Sequence, residues 1–106
     1  MIDGERTVRD NREAGRYELQ VGDRVAFLDY RRTNGTVVLA YVETPVPLRG
    51  RGLAGILTRH ALEAARAAGL RVVPQCPFVR DYIRKHPEFE ELVVTPPREP
   101  GNRPRT

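Results

Sequence analysis

The sequence contains one cysteine, one methionine, one lysine and no tryptophan in 106 residues. A single cysteine cannot close an internal disulfide, so nothing in the chain calls for an oxidising compartment. No apolar run approaches the ~20 residues that cross a bilayer as a helix. The opening Met1-Ile2-Asp3-Gly4-Glu5-Arg6 lacks an apolar segment of signal-peptide type. The expectation is a cytoplasmic protein with no membrane partner. Close pairs of metal ligands are also missing: His60, Cys76 and His86 stand apart in the sequence, and no metal site is expected. The charge is one-sided but diffuse. Arginine supplies 17 of the 18 basic residues and the formal charge is +4, for a sequence pI near 9.8. Arg98, Glu99, Arg103 and Arg105 account for +2 of it. No basic groove interleaved with aromatics is visible, which argues against nucleic acid. A mildly positive body does suit an anionic cofactor.

What is present is one domain of alternating strand and helix signals, large enough for a modest core without staples. Residues 1–12 are polar and aperiodic and read as a loose arm. Arg16 to Val21 alternates, with Tyr17, Leu19 and Val21 on one face. A second strand from Arg24 to Arg31 follows the Gly22-Asp23 turn, and Asn34-Gly35 marks a tight hairpin into Val37–Val42. Pro45 and Pro47 end that strand, because proline donates no ladder hydrogen bond. From Leu53 the period becomes helical. Leu53, Ile56, Leu57, His60, Ala61, Ala64 and Ala68 share one face; Arg51, Thr58, Arg59, Glu63 and Arg66 share the other. Leu62 falls opposite the apolar face, as an exposed leucine or a contact for the C-terminal segment or another subunit. Gly69 stops the helix. A fourth strand near Leu70–Val73 and a short helix over 78–85 follow, with Phe78, Val79, Tyr82 and Ile83 as its inward stripe. The domain spans residues 13–95, and the proline-rich tail over 96–106 reads as disordered. The expected fold class is α+β: a three-strand meander, a central helix, a fourth strand and a short C-terminal helix.

The informative stretch is the junction Leu48-Arg49-Gly50-Arg51-Gly52-Leu53-Ala54-Gly55. Glycines there let the backbone turn sharply and a ligand approach it closely. The first amides of a helix have no intrahelical partner and sit at the positive end of its dipole. Strand, glycine-rich turn and helix start thus make a phosphate or pyrophosphate site, with Arg49 and Arg51 adding charge. The bland alternative is a turn whose glycines serve packing alone. Gly50-x-Gly52-x-x-Gly55 formally matches the dinucleotide fingerprint, but no carboxylate ends the next strand and no further strand–helix units follow. A P-loop fails as well, because no Gly-Lys-Ser/Thr follows.

The remaining pattern, Arg49-x-x-Gly52-x-Ala54, resembles the pyrophosphate signature of the GNAT superfamily of N-acetyltransferases. The stretch from Glu43 to Val93 resembles, more narrowly, the small single-domain GNAT-like group. Members pair this turn with a later Cys-Pro-Phe-x-x-x-Tyr and His-Pro-Glu-aromatic run, here Cys76 through Tyr82 and His86 through Phe89. The resemblance implies acetyl-CoA or another acyl-CoA as donor, bound by Arg49, Gly50, Arg51, Gly52, Leu53, Ala54 and Gly55, and direct attack by an amine acceptor that the sequence does not identify. It also implies catalytic roles. Tyr82 matches a position where GNAT enzymes put a tyrosine near the cofactor sulfur, although a core aromatic with its hydroxyl at the rim is the competing reading. Glu43 is the carboxylate nearest the turn in sequence and a candidate base. The group often carries a histidine two positions earlier, where this chain has Tyr41. Cys76, just before the second helix, is either a nucleophile or a small buried residue lining the cleft. His86 reads as a helix cap and His60 as a packing residue. Two functions follow: an N-acyltransferase, or a non-catalytic acyl-CoA-binding module.

Overall fold

The computed structural model describes residues 7–94. The strands are β1 (Val8–Asn11), β2 (Arg16–Val21), β3 (Arg24–Thr33), β4 (Thr36–Glu43) and β5 (Arg71–Pro74). The helices are α1 (Leu53–Ala68) and α2 (Pro77–Lys85), with short 3-10 segments at Val46–Leu48 and Pro87–Leu92. One α+β domain results, with a single sheet ordered β1-β2-β3-β4-β5. It is antiparallel as far as β4 and parallel between β4 and β5. The parallel pair follows from the connection, since α1 crosses over between the two strands.

The meander has four strands rather than three. Val8–Asn11, expected within a loose arm, pairs with Leu19 to Arg16 of β2. This strand has little apolar patterning; its Arg9 and Asp10 are exposed. Backbone pairing and the Arg9–Glu18 contact at 2.7 Å hold it to the sheet edge. Charged residues on an edge strand also discourage pairing with a second chain. The expectations for residues 1–6 and for the tail over 96–106 lie outside the described residues.

Helix α1 lies across one sheet face. Leu53, Leu57, Ala61 and Ala65 join Leu19, Ala26, Leu28, Leu39 and Val72 in the core, where each fully buried leucine or valine contributes roughly 1.5–3 kcal/mol. Gly69 ends the helix with φ 71° and donates to the carbonyls of Ala65 and Arg66. The expected helix faces need one correction. Leu62 and Thr58 are fully buried, whereas His60 and Ala68 are exposed. The cause is a second layer: α2 and the 3-10 segment after it cover the other flank of α1, bringing Val79, Ile83, Phe89 and Leu92 into the same core. Helix α2 departs similarly from its expected stripe. Val79 and Ile83 point inward, but Phe78 is 42% exposed. No described helix is long and apolar enough to cross a membrane.

Candidate active site

The sheet splits where β4 and β5 part. Their parallel pairing runs from Thr36↔Arg71 to Leu39↔Pro74 and stops. The Gln75 and Cys76 amides both donate to the Leu39 carbonyl, at 3.0 and 3.1 Å. The chain after β5 therefore turns away into α2, while β4 continues four residues further to Glu43. A bulge on β4 sharpens the divergence. Asp29 pairs with Tyr41 and Tyr30 with Leu39, leaving Ala40 as the extra residue.

A cleft of 480 Å³ opens at this split, a size suited to a small-molecule ligand. Its walls are the end of β4 (Tyr41–Glu43), the turn from Leu48 to Gly55, and Phe78 at the start of α2. The turn is shaped by two residues in the left-handed region, Gly50 at φ 87° and Gly52 at φ 76°. A Cβ added to either would meet nothing within 4 Å among the described residues. Backbone conformation, not crowding, is thus what calls for glycine at both positions. Gly52 is the N-cap of α1, and among the described residues no side chain caps the helix start. Its first turn carries no acidic residue. Among the described residues, no acceptor takes a hydrogen bond from the amides of residues 50–55; the first helical donor is Ile56, to the Gly52 carbonyl at 3.1 Å. The cradle is left open on the cleft side and carries positive helix-end charge. Arg49 fastens the turn to β4 by donating from Nε to the Thr44 carbonyl at 3.0 Å. An anionic diphosphate fits these donors.

Six of the seven expected cofactor residues line the cleft: Arg49, Gly50, Gly52, Leu53, Ala54 and Gly55. Arg51 does not; it is exposed on the same turn. Of the expected catalytic residues, only Glu43 lines it. Register places Glu43 beside Phe27 and Tyr41 beside Asp29, on the sheet face away from α1. The Tyr41 hydroxyl donates to the Glu43 carboxylate, and this hydrogen bond pushes the phenol pKa up. Tyr82 stands behind the wall. Its Cε2 lies 3.7 Å from where a Gly55 Cβ would be, its ring stacks on His86 with centroids 3.9 Å apart, and burial raises its pKa. Cys76 is buried in the core as the N-cap residue of α2. His86 is the C-cap of α2 and its Nδ1 lies 2.8 Å from the Tyr82 carbonyl. Exposed His60 packs edge-on against Tyr17 at 5.1 Å. No cluster of three metal-ligating side chains occurs among the described residues.

The family model for the GCN5-related N-acetyl-transferase domain matches residues 16–92, more than half of the chain. The chain belongs to the GCN5-related N-acetyltransferase family. Its fold is also that of a GCN5-like protein from Staphylococcus aureus, known from an NMR solution structure and provisionally assigned as an N-acetyltransferase. The TM-score is 0.64 at 13% identity, over 94% of this chain and 99% of that one. At that identity the likeness carries the architecture alone. In this family member the open helix start and the split sheet form one continuous cleft, which the linear motif only partly outlines. Sequence reasoning missed Phe78 and Tyr41 as cleft residues. Both had an available signal. Phe78 sits at N2 of a helix that starts directly after the strand split, and Tyr41 is two residues before Glu43, hence on the same strand face.

Proposed function

We propose that the protein is an acyl-CoA-dependent N-acyltransferase that moves an acetyl group from acetyl-CoA to a primary amine by direct attack. The observation that carries this reading is the unpartnered row of amides at the α1 start, opening into the gap between β4 and β5. Acetyl-CoA, when bound, supplies a thioester carbonyl activated for attack by nitrogen. The amides from Arg51 to Gly55 hold the diphosphate, with Arg49 and Arg51 adding charge. Phe78, Leu48 and Val42 give the cleft its apolar wall. Glu43, on the open face of the sheet, takes a proton from the incoming ammonium, directly or through one water, while Tyr41 orients its carboxylate. The neutral amine attacks the thioester carbonyl, and as the C–N bond forms and the C–S bond breaks the nitrogen gives up its second proton to solvent, which also restores the proton that Tyr82 donates. Tyr82 returns a proton to the departing sulfur; a phenol, its pKa raised here by burial from 10.0, carries that proton at neutral pH, and Cε2, next to the hydroxyl-bearing carbon, is the ring atom nearest a Cβ built on Gly55. Cys76, packed in the core, has no step in this scheme.

Calorimetric titration with acetyl-CoA, followed by free-CoA release with a panel of primary amines and peptides, tests the reading. Saturable heat and amine-dependent thiol release are expected. Glu43→Gln and Tyr82→Phe should each lower kcat by ~10²-fold or more, the range of general acid–base contributions, with acetyl-CoA affinity unchanged. Binding without turnover would overturn the enzyme reading and leave an acyl-CoA-binding module. Absence of binding would overturn both.

A further inference from the structure

A second hollow lies against the C-terminal half of α1 and shares no residue with the cleft above. It holds 150 Å³. Its floor is apolar, built from Val37 and the small side chains Ala61, Ala64, Ala65 and Ala68, and its mouth carries Tyr17, His60, Asp10, Arg12 and Arg32. Tyr17 is 9% exposed, yet its hydroxyl makes no hydrogen bond among the described residues and borders the hollow. The other polar groups are unequally committed. Asp10 accepts from the Tyr30 hydroxyl at 2.5 Å and pairs with Arg12 Nε at 3.3 Å. Arg32 has no ion-pair or hydrogen-bond partner among the described residues. Arg12 and Arg32 against Asp10 leave the mouth with one net positive charge. Asp10, Arg32 and Arg12 all line the same opening as the Tyr17 phenol, whose pKa is raised by burial and by Asp10 against the opposing pull of the two guanidinium groups.

From this arrangement we infer a second ligand site, distinct from the acyl-CoA cleft, that takes a small aromatic monocarboxylate. The volume and the alanine floor limit the body of the ligand to about one ring. Tyr17, itself packed against Tyr30 and His60, and the exposed His60 ring border the space such a ring would take. The mouth selects the head group, because the Arg32 fork presents donors alone and the Tyr17 hydroxyl offers one more. Asp10 keeps its charge at this mouth, offset by its pairing with Arg12, and Arg32 leaves the balance positive.

Sodium benzoate is the probe. Titrated into the full chain and followed by amide NMR shifts, it should saturate, with the shifts centred on Tyr17, Ala64 and Arg32. Arg32→Ala should weaken it about tenfold or more, the loss expected for a charge-assisted hydrogen bond. Benzamide and inorganic phosphate, lacking the charge and the apolar body respectively, should each bind at least about tenfold more weakly than benzoate. Ala64→Leu, filling the floor, should abolish saturation, with a cooperative melt showing that the variant is folded. If Ala64→Leu does not fold, Arg32→Ala decides alone, since Arg32 is exposed. Non-saturating shifts, benzamide or phosphate binding as well as benzoate, or an unchanged Arg32→Ala variant would overturn the site.

Discussion

Substituting alanine for Gly52 and, separately, for Gly55 should move stability in opposite directions. Gly52 sits at φ 76° with nothing within 4 Å of an added Cβ, whereas Gly55 is helical and its Cβ would lie 3.7 Å from Tyr82 Cε2. For Gly52→Ala the entire cost is the left-handed backbone, roughly 1–2 kcal/mol for an L-residue. Alanine also restricts the unfolded chain, which returns roughly 0.4–1 kcal/mol. The net is a destabilisation of about 1 kcal/mol, equivalent to a Tm lower by ~4–8 °C in a domain of this size. Gly55→Ala replaces a glycine within α1, where alanine is better by up to ~1 kcal/mol, and its methyl makes ordinary van der Waals contact. Its Tm should rise by a few degrees, of order half to all of the same interval. Thermal melts of both variants under one buffer provide the assay. In parallel calorimetry, Gly52→Ala should bind acetyl-CoA about tenfold more weakly, or ~1.4 kcal/mol, because relaxing φ turns the Leu53 amide out of the cradle. A Gly52→Ala protein melting at or above wild type would refute the claim that the turn is held left-handed in solution. A Gly55→Ala protein melting lower would refute the spacing assigned between α1 and Tyr82.

Two further outcomes follow from the core and from one phenol. Thr58 is fully buried and its Oγ1 has no hydrogen-bond partner among the described residues, so Thr58→Val, which keeps the shape and removes the hydroxyl, should stabilise by about 1 kcal/mol in urea unfolding. Thr58→Ala, which also opens a cavity, should be less stable than Thr58→Val, and a destabilised valine variant would mean that the hydroxyl is satisfied. Burial and the hydrogen bond to Asp10 push the Tyr30 pKa up to about 12 from 10.0. A raised pKa makes the group's contribution complete below the unfolded value near 10 and progressively lost as pH climbs through about 12. Phenolate absorbance should show this late step disappearing in Tyr30→Phe, and a Tyr30 titrating with the exposed phenols would contradict it.

Much of the architecture was legible because it rests on local rules. The alternation in Arg16–Val21, the helical period from Leu53 and the stop at Gly69 each name an element, and each is present. What escaped depended on neighbours distant in sequence. Val8–Asn11 has no apolar alternation; its place comes from backbone groups offered by the β2 edge. Thr58 and Leu62 seemed to belong to a solvent face because a single helix stripe cannot reveal a second covering layer. That layer is supplied by Phe89 and Leu92, some thirty residues later. Arg59 and Arg66 lie on the same flank, with their guanidinium carbons 5.3 and 5.1 Å from the Phe89 ring centroid, so cationic side chains that read as solvated also cover an aromatic.

The cleft itself is encoded by prolines as much as by glycines. Pro74 ends the β4–β5 pairing because it has no amide to extend the ladder, and the next two amides both converge on the Leu39 carbonyl. Pro77 then supplies a ready-made first turn for α2. On the other side of the gap, Pro45 and Pro47 halt β4 and fold the chain into the 3-10 segment that delivers Leu48 to the core and Arg49 to the turn. A sheet that continued to pair at this point would leave no opening between its strands, whatever the glycines did. The phosphate-type motif tells where a diphosphate would be gripped. The proline spacing around Leu39 tells where the rest of an elongated, thioester-bearing ligand would have room to lie, and the two signals coincide at a single cleft.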